Sequence, residues 1–272
     1  MTTGIDWQAQ VGRSWAENYR LTDRSFAGLT ERLLERIAER GGNRVLDVGC
    51  GAGQLSLAVA RQRPGAQVLG LDLSPDLVAA ARERGALHGN ASFALADAAQ
   101  WRDANFTPDL LISRHGVMFF DDPPAAFASL HGAADEEAEL IFSCFRPAAE
   151  NPWASELAAI LGVAPAADPR APGPFAFADP EYVTAILTAG GWREPHFEAV
   201  NFAYVAGKHD SDPVEDALPF FRQIGPAAAV LRGLAGEERL RAEGWLRDWL
   251  AEHRSGDLIA FSAAAWIVSA RH

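Results

Sequence analysis

Cysteine is scarce: only Cys50 and Cys144 occur in 272 residues. That excludes a disulfide framework and any structural zinc site built from several thiolates. Excess positive charge is missing too, since 24 basic side chains stand against 36 acidic ones for a formal charge of −12. Such a field repels phosphate backbones and anionic headgroups, so neither nucleic acid nor a membrane surface is an expected partner. No apolar run reaches the length needed to span a bilayer, and the amino-terminal MTTGIDWQAQVG has no basic start followed by an apolar stretch. A soluble, cytoplasmic protein in a reducing compartment is expected. Internal repeats and low-complexity tails are also absent.

What is present is a hydrophobic fraction of 49%, enough for one substantial core, arranged as one domain with insertions or at most two domains. From about Ser14 to Glu39 apolar residues recur at helical spacing and predict one or two amphipathic helices, closed by the glycines of ERGGN. Strand-like runs then alternate with helical ones. RVLDV is followed by a helix over Gln54 to Gln62, QVLGLDL by a helix over Pro75 to Arg84, then SFALAD, PDLLIS, a helix from Pro123, and AELIFSCF. Strand, crossover helix and parallel strand, repeated, predict a doubly wound α/β sheet.

Two segments interrupt the alternation. Residues 147–180 hold seven of the sixteen prolines and read as a structured loop with one short helix. After a helix over Pro180 to Ala189 and the strand HFEAVNFAYVAG, residues 208–256 read as two helices, the first broken by Pro219 and Pro226. LIAFSAAAWIVSARH is the last strand. The predicted organisation is a helical cap over 1–40, a cofactor-binding core over 41–146 and 181–272, a proline-rich lid over 147–180 and a helical insertion over 208–256.

The stretch VLDVGCGAGQ places Gly49, Gly51 and Gly53 within five positions behind a buried-type strand. Glycine gives up more conformational entropy on folding than any other residue, so something must approach this main chain closely. In doubly wound sheets ligands bind beyond the carboxyl ends of the strands, and here several strands end in polar or glycine signals together. The three glycines follow the first strand, Asp72 ends the second, Asp97 the third, and SRHG follows the fourth. Asp72 lies where an acid takes the ribose hydroxyls of a bound adenosine. The loop lacks the G-x-G-x-x-G spacing of pyrophosphate binders and the Lys-Ser or Lys-Thr of a P-loop.

VLDVGCGAG, with LGLDLSPDLVAAAR and FALADAAQW, closely resembles the class I methyltransferases that use S-adenosylmethionine, over roughly Arg44 to Phe145 and the final strand pair. The resemblance implies a Rossmann-like, seven-stranded, mostly parallel sheet with an antiparallel last strand, and methyl transfer to a small organic acceptor through an oxygen, nitrogen or carbon nucleophile. It implies that Gly49, Cys50, Gly51 and Gly53 lie against the methionine part of the cofactor. Asp47 would favour its ammonium, Asp72 the ribose hydroxyls and Asp97 the adenine amino group. Leu73 and Ala98 would pack on the adenine faces, and Ser113 completes the cofactor set. A sulfonium attracts carboxylates and aromatic faces, which suits this acidic setting.

His115 sits after the fourth strand, where related sequences carry an aromatic, and an imidazole there can accept an acceptor's proton. Arg114 is a candidate for orienting an acidic acceptor. Trp15, Tyr19, Phe119 and Trp153, with Phe175, Phe177, Phe220 and Phe221, would roof the methyl group in an apolar pocket whose lid closes on binding. DDPP at Asp121 to Pro124 reads as a helix N-cap at Asp122 rather than a metal pair, and no metal is expected. Cys50 has no histidine partner that would make it a nucleophile. Trp245 and Trp249, four residues apart, read as the buried face of a helix. Two competing readings remain: a nicotinamide-dependent reductase, and an S-adenosylmethionine-binding sensor or partner subunit without transferase activity. Oligomeric state, a homodimer included, is left open.

Overall fold

Strand β1 (Arg44–Val48), β4 (Leu110–Arg114) and β5 (Glu139–Phe145) are near-continuous apolar runs whose side chains are almost wholly buried. Such runs suit parallel strands covered by helices on both faces. The computed structural model, which describes residues 7–164 and 166–272, builds that arrangement. With β2 (Gln67–Asp72), β3 (Ala91–Leu95), β6 (Arg193–Lys208) and β8 (Leu258–Arg271), the sheet order is β3-β2-β1-β4-β5-β8-β6. Strands β1 to β5 are parallel neighbours, and β8 runs antiparallel to both β5 and β6. A two-residue strand β7 (Arg254–Ser255) folds back on β8, making eight strands where seven are expected. Gly256, with φ +64°, supplies the left-handed residue that lets this hairpin close.

The crossover helices are α4 (Gln54–Gln62), α5 (Pro75–Gly85) and α6 (Pro123–Ala133). Helix α5 is capped by Ser74, which accepts from the Leu77 N–H, and α6 by Asp122, which accepts from the Ala125 N–H at 3.1 Å, each with proline in the first turn. Asp122 is therefore a cap, as its spacing predicts. Over Gln10–Ala38 the chain forms three helices rather than one or two: α1 (Gln10–Glu17), α2 (Tyr19–Ser25) and α3 (Ala27–Ala38). The breaks fall at Asn18 and Phe26, which leave helical geometry; the Asn18 amide donates to the Ser14 carbonyl at 2.7 Å and so competes with the backbone.

Among the described residues the first insertion contains one α-helix, α7 (Pro152–Ile160), after a 3-10 turn at Ala148–Glu150 and before α8 (Pro180–Ala189). The second contains three, α9 (Pro213–Gln223), α10 (Gly225–Gly233) and α11 (Gly236–Glu252), where two are expected, and on α11 Trp249 is buried while Trp245 is exposed, so the two do not share a buried face. Pro219 lies inside α9 without ending it, and Pro226 sits in the first turn of α10, where a missing N–H costs nothing. The chain turns instead at Gly225 and Gly236, with φ +80° and +54°. Both insertions leave the sheet at the end where β1 to β5 finish. Among the described residues no helix is long and apolar enough to cross a membrane.

Candidate active site

The glycine turn after β1 uses its backbone freedom at all three positions, with φ +66° at Gly49, +56° at Gly51 and +82° at Gly53. Two of these glycines are held by protein. A Cβ on Gly49 would stand 2.8 Å from the Gly116 Cα, and one on Gly53 2.9 Å from the Phe93 ring. Gly51 differs: a Cβ there would meet nothing within 4 Å, and the residue lines a large cavity. The main chain at Gly51 is thus a floor left bare for a ligand. Asp72 fixes that floor, because its Oδ2 accepts from the Gly51 N–H at 2.8 Å while Oδ1 accepts from the Ser74 N–H at 2.9 Å. Burial raises the Asp72 carboxyl above its usual range, and the two backbone donors oppose the rise.

Asp47, on β1, is buried, and one of its oxygens accepts from the Ser56 hydroxyl. The other, Oδ1, has no partner. Burial pushes this carboxyl up to about 6, against the pull of Ser56 and the Arg114 charge. An unpaired buried acceptor that lines the cavity is built to receive a cation or a donor. Asp97 also lines it and is braced by the Ala99 N–H at 2.9 Å.

The cavity is about 810 Å³, in the upper part of the roughly 300–1,000 Å³ range of small-molecule sites. Beyond the glycine floor its wall is aromatic. The His115 ring stacks on Phe145 at 4.1 Å, Phe145 meets Trp153 at 5.1 Å, Trp153 lies parallel to Tyr204 at 4.9 Å, and Tyr204 meets Phe220 at 5.9 Å. Trp7 closes the other side against Trp15 at 5.5 Å and Phe119 at 5.1 Å. His115 itself has φ +61°, a left-handed backbone that costs a non-glycine residue about 1–3 kcal/mol and concentrates at functional sites. Both of its ring nitrogens are buried and unpartnered. Burial, and next the Arg114 charge, hold its pKa down at about 3, so the imidazole is neutral at physiological pH.

Arg114 lines the cavity with its charge already committed. Its guanidinium donates to Thr30 Oγ1 at 2.8 Å and to Gln54, lies 3.9 Å from Asp23, and sits 5.4 Å from the centre of the Phe26 ring. Asp23 is shared, since Arg84 pairs with it at 2.7 Å. Arg114 is the sole cation among the described lining residues, against the six aspartates Asp23, Asp47, Asp72, Asp97, Asp121 and Asp122.

The structure gathers most of the residues expected from sequence around this one space. Asp47, Gly49, Cys50, Gly51, Asp72, Leu73, Asp97, Ala98, Trp15, Tyr19, Arg114, His115, Phe119 and Trp153 all line it. Gly53 shapes the turn from behind, packed on Phe93. Ser113, expected beside the cofactor, points elsewhere: its hydroxyl donates to the Val48 carbonyl at 2.7 Å and accepts from the Gly116 N–H at 3.1 Å. It is a brace between the ends of β1 and β4. Phe177, expected in the roof, is fully buried behind the wall with Phe127 and Phe142, and Phe175 packs against Phe145 and Trp153 rather than lining the cavity. Cys50 does line the cavity, but burial and the nearby aspartates push its thiol well up, and its side chain packs tightly against Gly70. Sequence reasoning passed over Trp7, Asp23, Phe26, Phe145 and Tyr204. Tyr204 carried a signal: Val200, Phe202, Tyr204 and Ala206 alternate along β6, which puts all four on the buried face.

A sheet with a bare glycine floor, a ribose-type acid and no anion-binding cation defines a Rossmann-like site for a nucleoside cofactor without phosphates. Residues 45–136 match the methyltransferase domain family. A trans-aconitate 2-methyltransferase of Variovorax paradoxus is 32% identical over 165 residues, which cover 56% of this chain and 60% of the relative. The chain therefore spans less than two thirds of that relative's length. Phosphoethanolamine N-methyltransferase 2 of Haemonchus contortus, solved with S-adenosyl-L-methionine, shares the fold at TM-score 0.57 and 15% identity, covering 100% of this chain and 60% of that one. So does the [4+2]-cyclase SpnF, at TM-score 0.55 and 23% identity, covering 97% and 95%. The family match identifies residues 45–136 as a methyltransferase domain, and the chain is similar over its fold to S-adenosylmethionine-dependent methyltransferases of class I.

Proposed function

We propose that the chain transfers the methyl group of S-adenosylmethionine to a small organic acceptor and releases S-adenosylhomocysteine. One observation carries the reading: a single cavity joins the Gly51 floor and Asp72 to the aromatic wall that begins at His115. The cofactor supplies a methyl on a sulfonium, which departs with the bonding pair left on sulfur, so the protein contributes alignment and a place for a proton. Asp47 offers its free oxygen to the ammonium, Asp72 receives the ribose hydroxyls, and Asp97 the adenine amino group. Leu73 and Ala98 flank the ring. His115 presents an unpartnered nitrogen to the acceptor's hydroxyl or amine, orients it, takes its proton as the new bond forms, and passes that proton to solvent.

A second reading, a cofactor-binding chain that does not transfer methyl groups, has its own support: burial makes His115 a poor base, and the same fold serves a cyclase. Calorimetry with S-adenosylmethionine and NADH, followed by a screen for S-adenosylhomocysteine release across phenols, amines, carbanion-forming acceptors and trans-aconitate, separates the readings. Tight binding of the methyl donor with release from one acceptor class is expected. Binding without any release selects the second reading, and binding of NADH alone sinks both.

A further inference from the structure

We infer that the methyl acceptor is an uncharged, flat, aromatic-bodied molecule and not a carboxylate, an inference that rests on the methyl-transfer reading above. The first observation is charge. A buried carboxylate needs a paired cation or several donors, since an isolated one is expensive to remove from water. Among the described lining residues the cavity offers Arg114 alone. That guanidinium is held by Thr30, Gln54 and Asp23, so an incoming carboxylate would compete with groups already in place. Asp121 and Asp122 stand on the lining as well and add negative charge there.

The second observation is shape. Phe26, Phe145, Trp153, Tyr204, Phe220 and Phe221 all line the space beyond His115, and they touch one another as a continuous surface. These rings pack mostly on one another, and the strip of each that reaches the cavity gives another ring an apolar surface to meet edge-on or offset. Only a few polar groups interrupt the wall. Of these, His115 has two nitrogens that no protein group satisfies. A neutral imidazole carries one donor and one acceptor, so a single hydroxyl that reaches the buried ring behind the cavity surface finds a partner there while the rest of a flat molecule lies on the aromatic surface. The committed state of Arg114 follows from the same geometry: it acts as a positioning residue that holds Asp23 and Gln54 at the rim and leaves no charge for the acceptor.

The test uses the full chain saturated with S-adenosylhomocysteine, whose own binding is first measured by calorimetry. Tryptophan fluorescence then follows titration with 2-naphthol and with 6-hydroxy-2-naphthoate, which differ by one carboxylate. The neutral compound is expected to bind at least tenfold more tightly. Equal or tighter binding of the carboxylate, or no saturable binding of 2-naphthol, overturns the inference. Failure to bind S-adenosylhomocysteine sinks the underlying methyl-transfer reading instead. In Asp23→Asn, which unties Arg114, the preference is expected to narrow by at least threefold through stronger binding of the carboxylate. An unchanged ratio, with the variant still binding S-adenosylhomocysteine, also counts against it.

Discussion

At the residue scale, three of the described lining side chains, Trp7, Asp47 and His115, hold buried polar atoms without a partner, and the last two each make a distinct prediction. His115→Ala should lower turnover by about 10²–10⁴-fold, the usual contribution of a positioned proton acceptor, while S-adenosylmethionine affinity changes little. Turnover within a few-fold of normal would show that alignment alone suffices. For Asp47 the prediction is a pH dependence. Its carboxyl, held up at about 6 by burial, must be ionised to meet an ammonium, so cofactor affinity should fall by about tenfold per pH unit as pH drops below about 6. The sign for the ligand-free protein is opposite. Folded Asp47 keeps a proton that the unfolded chain releases from about pH 3.8, so its contribution to stability declines as pH rises from 3.8 toward 6. Asp47→Asn should flatten the affinity profile, and a profile identical to the parent's would assign the dependence elsewhere. The glycines and Asp72 were legible in sequence because their spacing is local. Ser113 was not, since only the approach of Gly116 to Val48 shows that its hydroxyl is spent on two backbone groups.

At the scale of elements, helix bounds read from local signals agree closely with the structure where caps are explicit. Pro180–Ala189, capped by Asp179, is a case in point, and Gln54–Gln62 agrees as well, its start set by the left-handed Gly53. The amino-terminal and second-insertion helices were harder, because their breaks come from residues such as Asn18 and from glycine turns within otherwise helical patterns. What no pattern showed is how α1 sits over the site. Gly12 brings this helix against the start of α5: a Cβ there would stand 2.1 Å from the Trp7 carbonyl oxygen and 2.2 Å from the Ser74 hydroxyl. Gly12→Val should therefore dislodge α1, and with it Trp7 and Trp15, raising KM for cofactor and acceptor by an order of magnitude while the melting temperature of the core barely moves. Gly51→Ala probes the opposite situation. It adds a methyl to open space at a left-handed residue, costing about 1–2 kcal/mol of backbone strain and filling the floor. The protein should fold and lose cofactor binding; retention of full affinity by calorimetry would mean that the ligand lies elsewhere.

At the scale of the whole molecule, the two insertions meet each other and both contribute to the aromatic wall, through Trp153 and through Phe220 and Phe221. Glu156 on α7 accepts from the Trp249 indole N–H on α11 at 3.0 Å and lies 3.2 Å from His253 Nε2. Trp249 in turn stacks on Phe261 at 4.5 Å and meets Phe221, a wall residue, at 5.5 Å. Contacts thus run unbroken from one insertion, through the other, to the cavity surface. Removing their junction should loosen the wall without touching the cofactor floor. Glu156→Ala is expected to raise the acceptor KM several-fold and to speed tryptic cleavage after Arg170, which is exposed in the loop following α7, with the S-adenosylmethionine Kd unchanged. Glu156→Gln retains a carbonyl oxygen for the indole N–H and should recover most of the parent's protease resistance, because that hydrogen bond, rather than the contact with His253 Nε2, joins the insertions. If both variants cleave like the parent, the insertions hold together through their apolar faces alone, and the acceptor wall is rigid without this junction.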